Sequence, residues 1–589
     1  MEKPEKDFYS IDNISRIVFV ISLIGLALLI VDFGFDLVYE AEMIFNGYYF
    51  IVLASGVFIT IYRYLLQWRN LSYKVAIFDF ITNLLVIYIL SQFFFTRSGV
   101  QQSHDFYSDT FFKLSILFTF FREFLIRKIN FQRDFLNPAQ LFVLSFLVII
   151  LSGAFLLMLP NATTEKITFI DALFTSTSAV CVTGLTVVDT ATHFTYLGKI
   201  FIMLLIQIGG LGILTFISYF SYFFKGRTTF ENQLVIKDMT NVDKLSEVYK
   251  VLKNVILITL IIEFAGGLFI YFSLDEQLLP SRYSRIFFAA FHSVSAYCNA
   301  GFSTLTNNLY EPGYRYNYNL HLSVAWLFIL GGLGFPIVSN TIYYVKYRLL
   351  NLLAPIIGKS KVYRPRIINL STKIILYTTF FLIVGGTVML FLTEYYYALE
   401  SHNWYGKMVT AFFTAVTPRT AGFNTIDMTA LTLPSIMIIT LLMWIGASPA
   451  STGGGIKTST FAIALMNIVS LSKGKSRVEL YRRQIPDSTI RRSFAIIVLS
   501  IIVIGLGILM VVAKDGDKGL TKIIFESVSA FGTVGLSLGI TPLLTVQSKI
   551  VLILLMFIGR VGMLALLVAL IRKAKYKNYK YPDEDIILN

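Results

Sequence analysis

Three glycines fall within eight residues of the apolar stretch SAFGTVGLSLG, at Gly532, Gly535 and Gly539. Each glycine in a helix interior costs about 1 kcal/mol relative to alanine. A stretch this rich in glycine therefore uses its backbone, and the group a backbone offers is the carbonyl oxygen. The arrangement recurs. LFTSTSAVCVTGLTVVD (173–189), AFHSVSAYCNAGFSTLT (290–306), AFFTAVTPRTAGFNTID (411–427) and IFESVSAFGTVGLSLGI (524–540) align without a gap. Phe174, Phe291, Phe412 and Phe525 each stand ten residues before Gly184, Gly301, Gly422 and Gly535. After each glycine comes a bulky apolar residue (Leu185, Phe302, Phe423, Leu536) and then a small polar one (Thr186, Ser303, Asn424, Ser537). A single glycine in such a setting marks a tight turn, whereas four in register mark one device built four times. Rings of carbonyl oxygens can take the place of water around a monovalent cation.

The elements that position these segments are membrane helices. The 589-residue chain is 56% hydrophobic and only 14% charged, which excludes a soluble domain. Apolar runs of about 18 to 25 residues, each able to cross a hydrocarbon core, recur from end to end. The net charge of +15 lies in short polar loops, which is the positive-inside pattern of a multi-pass cell-membrane protein rather than a nucleic-acid surface. Four apolar segments, near 16–37, 48–67, 75–95 and 110–128, form an N-terminal region of residues 1–137. The first lacks an A-x-A cleavage pattern and is expected to be retained. Its loops are basic at Arg69 to Lys74 and at Arg127, Lys128 and Arg133, and acidic at Asp36 to Glu42. Further basic loops at 225–254, 346–373 and 471–492, and a basic run from Arg572 to Lys580, bracket four more units. These are expected at 138–225, 226–347, 348–471 and 472–575, followed by a tail at 576–589. Both termini then fall on the cytoplasmic side. Each unit holds two long apolar segments around one of the glycine-bearing stretches.

Non-helical backbone survives at membrane depth only where protein buries it or where it lines a water-filled cavity. Each middle segment is expected to be a half-length helix followed by an extended loop. Four such loops around one axis would aim carbonyls inward, with glycine supplying the dihedrals that a Cβ forbids. The half-helix C-termini would add partial negative charge. The expected fold class is thus an all-α polytopic membrane protein with four tandem helix–loop–helix units in pseudo-fourfold array around one pore, plus about four extra N-terminal helices.

The motifs VCVTGLTVVDT, SAYCNAGFS, RTAGFNT and GTVGLS, in this order across residues 138–575, resemble those of the Trk/Ktr/HKT potassium transporter superfamily, in particular its membrane subunit. The resemblance implies a potassium filter at Gly184, Gly301, Gly422 and Gly535. Its ion-facing carbonyls would come from Val182, Thr183, Asn299, Ala300, Thr420, Ala421, Thr533 and Val534. Glycine rather than serine at the first position goes, in that family, with preference for potassium over sodium. A homodimer with one pore per protomer, docking a ring of cytoplasmic nucleotide-binding regulatory subunits of the TrkA/KtrA kind, is also implied. A sodium-permeable or sodium- or proton-coupled symporter of the same fold is the alternative.

Beyond each filter glycine stands a small-residue motif: Ile208–Gly210, Leu330–Gly332, Ile445–Ala447 and Ile558–Arg560. In the first two units it suits close helix packing. The third runs on as GASPASTGGGIKTST (446–460), where Pro449 and three successive glycines must interrupt a helix. In the fourth, Arg560 sits inside an apolar run, where a charge needs a partner or water. Gly453, Gly454, Gly455, Lys457 and Arg560 are the expected gate, with Arg560 bonding the free carbonyls of the unwound loop; stabilising that backbone is its plainer role. The resemblance points to the same intramembrane loop and arginine.

Asp189 and Asp427 stand five residues after their glycines and could enrich cations at an outer mouth, or cap turns. Arg419 is expected to brace the filter from behind, His292 and Glu526 to hold neighbouring loops, and Cys181 and Cys298 to be free thiols. The sequence lacks a GxxxxGK[ST] loop, a dinucleotide fingerprint and a metal-spaced His/Cys cluster, so no cofactor and no enzyme activity are expected of it. Arg122, Arg127 and Lys128 lack the three-residue spacing of a voltage-sensing ladder, and the N-terminal helices are expected to serve packing or assembly.

Overall fold

The chain is seen as a computed structural model that describes residues 6–36, 39–67, 105–126, 138–212, 248–353 and 368–562, with short pieces between 79 and 88 and at 355, 566 and 567. The basic stretches at Arg69 to Lys74, at Arg127, Lys128 and Arg133, and at Arg572 to Lys580, most of the third N-terminal segment, and much of the loops at 225–254 and 346–373 lie outside the described residues.

The described chain is helical except for one short hairpin, Glu479–Leu480 paired with Arg483–Gln484, which the sequence did not signal. Among the described residues, five helices are long and apolar enough to cross a membrane: Asn13–Gly34, Ala41–Leu65, Lys253–Ser273, Leu370–Glu394 and Asp487–Lys518. They expose residues such as Phe264, Phe272 and Phe381, as helices that face lipid must. This is a multi-pass membrane protein.

From residue 138 on, a helix, a shorter helix, an extended loop and another helix follow one another four times. The first series is Pro138–Leu157, Phe169–Val180 and Tyr196–Leu211; the last is Asp487–Asp515, Leu520–Gly532 and Val546–Val561. Side-chain caps start several of the shorter helices. Thr168 accepts from the Asp171 amide and Asn403 from the Gly406 amide, satisfying donors a buried helix end would otherwise leave bare. The short helices form the core, and Phe174, Phe291, Phe413 and Phe525 are among the largest fully buried side chains.

Close backbone approach holds the last helix of a series to its short helix. A Cβ on Gly209 would run into Val180 O, one on Gly331 into Tyr297 O, and one on Gly559 into Phe531 O. This is the packing use expected of the small-residue motifs. The third series differs, because its Gly446 lies against Gly454 of its own interrupted segment.

Two sequence expectations need correction. The gapless alignment holds for the loops but slips by one residue in the third short helix, Trp404–Val416, where Phe413 rather than Phe412 is fully buried. That helix ends six residues before Gly422, two earlier than the first ends before Gly184. The second series also has a broken final helix. Tyr318–Leu333 and Phe335–Leu353 meet at 105°, pivoting on Gly334 at φ +78°. Gly212 (φ +76°) and Gly562 (φ +87°) end the corresponding helices of the first and last series. The signal was the last glycine in IGGLG, LGGLG and IGRVG, three residues past the packing glycine.

Candidate functional site

The four glycine loops meet. A Cβ on Gly184 would run into Ala300 O, one on Gly301 would lie 2.9 Å from Ala421 O, one on Gly422 would run into Val534 O, and one on Gly535 into Thr183 O. The order first, second, third, fourth and back to first closes a ring. At the rim an ion pair of 2.7 Å between Lys549 of the last series and Asp171 of the first joins the ends of the circuit. No side chain other than hydrogen fits at these glycines.

The backbone of each loop alternates in hand. Gly184, Gly301, Gly422 and Gly535 have φ of +91°, +70°, +77° and +91°, and two residues earlier Val182, Asn299, Thr420 and Thr533 have φ of +57°, +60°, +71° and +50°. Non-glycine residues in this region cost on the order of 1–3 kcal/mol each, and three of these four are β-branched. Such strain repeated at one position in four loops is maintained by the surroundings. Alternating handedness lets successive carbonyls face one side instead of opposite sides.

The amides are turned the other way. Thr183 N donates to Ser178 O at 2.7 Å, Ala300 N to Ser295 O at 2.7 Å, Ala421 N to Thr417 O at 3.0 Å and Val534 N to Ser529 O at 2.9 Å. The hydroxyls of the same four residues complete the clamp. Ser178 Oγ and Ser529 Oγ accept from the amides of Gly184 (3.0 Å) and Gly535 (3.1 Å). Ser295 Oγ and Thr417 Oγ1 donate to the carbonyls of Phe302 (2.7 Å) and Phe423 (2.6 Å). These four residues were missed by the sequence reading. Ser178, Ser295 and Ser529 stand in one column of the alignment, and Thr417 is displaced by the one-residue slip.

A second layer lies against the first. Between Leu433–Trp444 and Thr458–Ser472 the chain is unwound where Pro449 and the glycines required it. Gly454 N donates to Thr533 Oγ1 at 2.8 Å, and a Cβ on Gly453 would meet Thr420 Oγ1. The side chain of Asn299 ties both layers, with its amide 3.2 Å from the hydroxyls of Thr420 and Thr452. Further bonds run from Ser448 N to Gly332 O (3.0 Å) and from Gly455 N to Gly559 O (3.3 Å). The loop thus touches the second, third and fourth series.

Arg560 reaches across this layer. Its Nη1 donates to Thr452 O of the unwound loop and its Nη2 to Gly209 O of the first series. Lys457 Nζ donates to Gly453 O at 2.6 Å. Gly453, Lys457 and Arg560 are brought together, joined by two carbonyl acceptors, of Thr452 and Gly209, that no side-chain pattern announces.

The remaining candidates fall into supporting places. Asp189 accepts from Ala191 N (2.9 Å) and Thr192 Oγ1 (2.9 Å), and Asp427 from Thr429 N (2.9 Å), so both fix turns while half exposed. His292 bridges Phe288 O (2.9 Å) and Ser303 Oγ (3.0 Å). Glu526 accepts from Ser537 Oγ (2.5 Å), Leu538 N (3.2 Å) and Thr541 Oγ1 (3.0 Å). Arg419 is buried. Cys181 and Cys298 are free and buried.

A strained, closed ring of backbone with its amides clamped away from the centre defines a membrane transport protein. The sequence profile of the family described as TrkH, cation transport protein, matches residues 107–579, and the chain belongs to that family of transporters. It is 36% identical over 466 residues to the potassium/sodium uptake protein NtpJ of Enterococcus hirae, covering 77% of this chain and 98% of that protein. It is 36% identical over 452 residues to the Ktr system potassium uptake protein B of Bacillus subtilis, covering 76% and 96%. The fold is similar to the crystal structure of the potassium transporter TrkH from Vibrio parahaemolyticus, with a TM-score of 0.59 at 17% identity over 84% of this chain and 97% of that one.

Proposed function

We propose that the chain is the pore subunit of a potassium uptake system in the cell membrane. Residues 138–225, 226–347, 348–471 and 472–575 form four pseudo-fourfold units about one ion path, behind an N-terminal helical region and before a tail at 576–589. The carbonyls of Val182, Thr183, Asn299, Ala300, Thr420, Ala421, Thr533 and Val534, with those of the four glycines, replace water around the ion. Potassium is the cargo, and no cofactor takes part. The observation that carries this reading is the closed ring of contacts among Gly184, Gly301, Gly422 and Gly535, each in a left-handed conformation.

Beneath the ring, Gly453 to Gly455 with Lys457 form the gate and Arg560 its latch. The Bacillus relative, named a potassium uptake protein, supports the choice of ion. Both termini face the cytoplasm, where a nucleotide-binding regulatory subunit acts on a homodimer, and Asp189 and Asp427 attract cations to the outer mouth. Potassium flux into proteoliposomes, with and without a sodium gradient, tests the reading. Uptake that follows the potassium gradient alone supports it. The name of the Enterococcus relative couples potassium with sodium, which favours a second reading as a sodium-permeable or sodium-coupled transporter. Sodium entry at a comparable rate, or potassium entry that requires sodium, selects that second reading.

A further inference from the structure

Six charged side chains of the N-terminal region, Asp32, Arg63, Asp79, Lys113, Arg122 and Glu123, pair with one another apart from the pore. Helix Asp105–Ile126 carries three of them and packs along both Lys6–Gly34 and Tyr39–Gln67. Lys113 Nζ lies 3.0 Å from Asp32 of the first helix, over the ring of Phe33 at 5.1 Å, and Tyr49 OH donates to the same carboxylate at 3.1 Å. Arg122 Nε lies 2.7 Å from Asp79, whose other oxygen accepts from Tyr64 OH at 3.0 Å. Glu123 pairs with Arg63 of the second helix at 2.5 Å and is joined by Ser15. Arg63, Asp79, Arg122 and Glu123 are all buried.

The charges lie at two levels. Asp32 is two residues from Gly34, where a Cβ would be 2.6 Å from Leu159, and Asp36 accepts from Asn161 Nδ2 at 3.1 Å. That level adjoins the rim of the first series, because Asn161 O in turn accepts from Thr195 Oγ1 at 2.6 Å, the cap of the last helix of that series. Lys113 and Arg122 are nine residues apart, which along a helix is about 14 Å, roughly half of a hydrocarbon core. Ser15, Asp32 and Arg63 each stand two residues from an end of the membrane-crossing helices Asn13–Gly34 and Ala41–Leu65, so the two levels of charge bracket the apolar span. Charges held on membrane helices mark ion paths, proton relays or voltage sensors. The helix that bears them leads in sequence directly into the first pore series. Its paired side chains, two cations and one anion, sum to one positive charge, and Asp105 and Asp109 stand in its first two turns.

We propose that the helices Lys6–Gly34, Tyr39–Gln67 and Asp105–Ile126, with Asp79, form a voltage-responsive module, in which the Asp105–Ile126 helix carries Lys113 and Arg122 on acidic partners outside it and transmits membrane potential to the first pore series. This inference rests on the pore reading above. It departs from the packing role the sequence suggested, because a ladder with regular spacing is not the only way to place charge in the field. The carboxylates on separate helices hold each cation in place of the water it would otherwise need.

The test is potassium conductance of the full chain under voltage clamp, with a fluorophore on Asp105→Cys as a second readout. One elementary charge crossing half the field changes an equilibrium by about sevenfold per 100 mV, so conductance should vary severalfold, up to that figure. The neutral pairs Lys113→Gln with Asp32→Asn, and Arg122→Gln with Asp79→Asn, remove cation and partner together and should flatten the curve. Lys113→Arg should keep it. The native thiols are buried, so the label reports the helix. Fluorescence that steps with voltage supports the module even if the protein passes no potassium, an outcome that would defeat the pore reading alone. Voltage-independent conductance together with silent fluorescence overturns the inference, as does full voltage dependence in both neutral-pair variants.

Discussion

The glycine ring and the second layer against it are assembled from the same four series by opposite means. In the ring each series contributes the same thing, a left-handed glycine, a strained residue two before it and a hydroxyl clamp behind. In the second layer the contributions are unequal: the first and second series give carbonyl acceptors at Gly209, Gly331 and Gly332, the third an unwound loop, and the fourth a guanidinium and the carbonyl of Gly559. Repetition suits a site that must surround a spherical ion with equal oxygens. A latch needs one donor and one acceptor, which symmetry would only multiply into repulsion between buried cations.

Substitutions can break either side of this comparison. The largest effect is expected in the ring, where Gly422→Asp would drive a Cβ into Val534 O and place a carboxylate among the ligands. Potassium uptake should fall below about one hundredth of the parent, as expected when a geometry that only glycine permits is lost. Normal uptake at equal membrane abundance would remove the carbonyl-filter account. Arg560→Ala should act in the opposite direction, raising resting potassium flux with ion preference unchanged. Each of its two bonds to carbonyls contributes roughly 1.5–3 kcal/mol, so loss of even one should shift the gate by about tenfold or more. A resting flux no faster than the parent's would return Arg560 to bracing unwound backbone.

Finer changes sharpen the contrast. Gly184→Ser drives a Cβ into Ala300 O, so uptake should fall here as well, and the sodium share of the remaining flux should rise several-fold because one quarter of the ring is displaced. Thr533→Val removes the acceptor for Gly454 N, one bond of about 1 kcal/mol, and should loosen the loop about fivefold without altering selectivity. If its selectivity changes instead, ring and layer are not separable. Asp189→Asn with Asp427→Asn should matter least, lowering apparent potassium affinity by about twofold and more so at low salt, since screening is weak there. An effect as large as that of Gly422→Asp would place these carboxylates in the ion path itself.

Much of the ring was legible in the sequence because it depends on residue type. Only glycine tolerates the close approach at Gly184, Gly301, Gly422 and Gly535, and a repeated constraint leaves a repeated letter. The interrupted segment around Pro449 and Gly453 to Gly455 was legible for the same reason, and Arg560 because a charge stands out in an apolar run. The clamp was half visible, since Ser178, Ser295 and Ser529 share a column but serine in a pore helix has many uses. Thr417 was hidden by a slip of one residue that no gapless alignment can show.

What the chain determined by itself is therefore the kind of backbone at each place: helix where apolar runs permit it, and broken or left-handed where glycine and proline require it. What only the tertiary structure decided is which carbonyl meets which donor. Thr452 O and Gly209 O carry no signature in their side chains, and their pairing with Arg560 exists because the ends of Tyr196–Leu211 and Val546–Val561 meet the unwound loop in the tertiary structure. The pairing of Lys113 with Asp32 and of Arg122 with Asp79 is of the same kind. A charge announces that it needs a partner, but the choice among acidic residues on three other helices is made by packing, and packing is settled only when the helices are placed together.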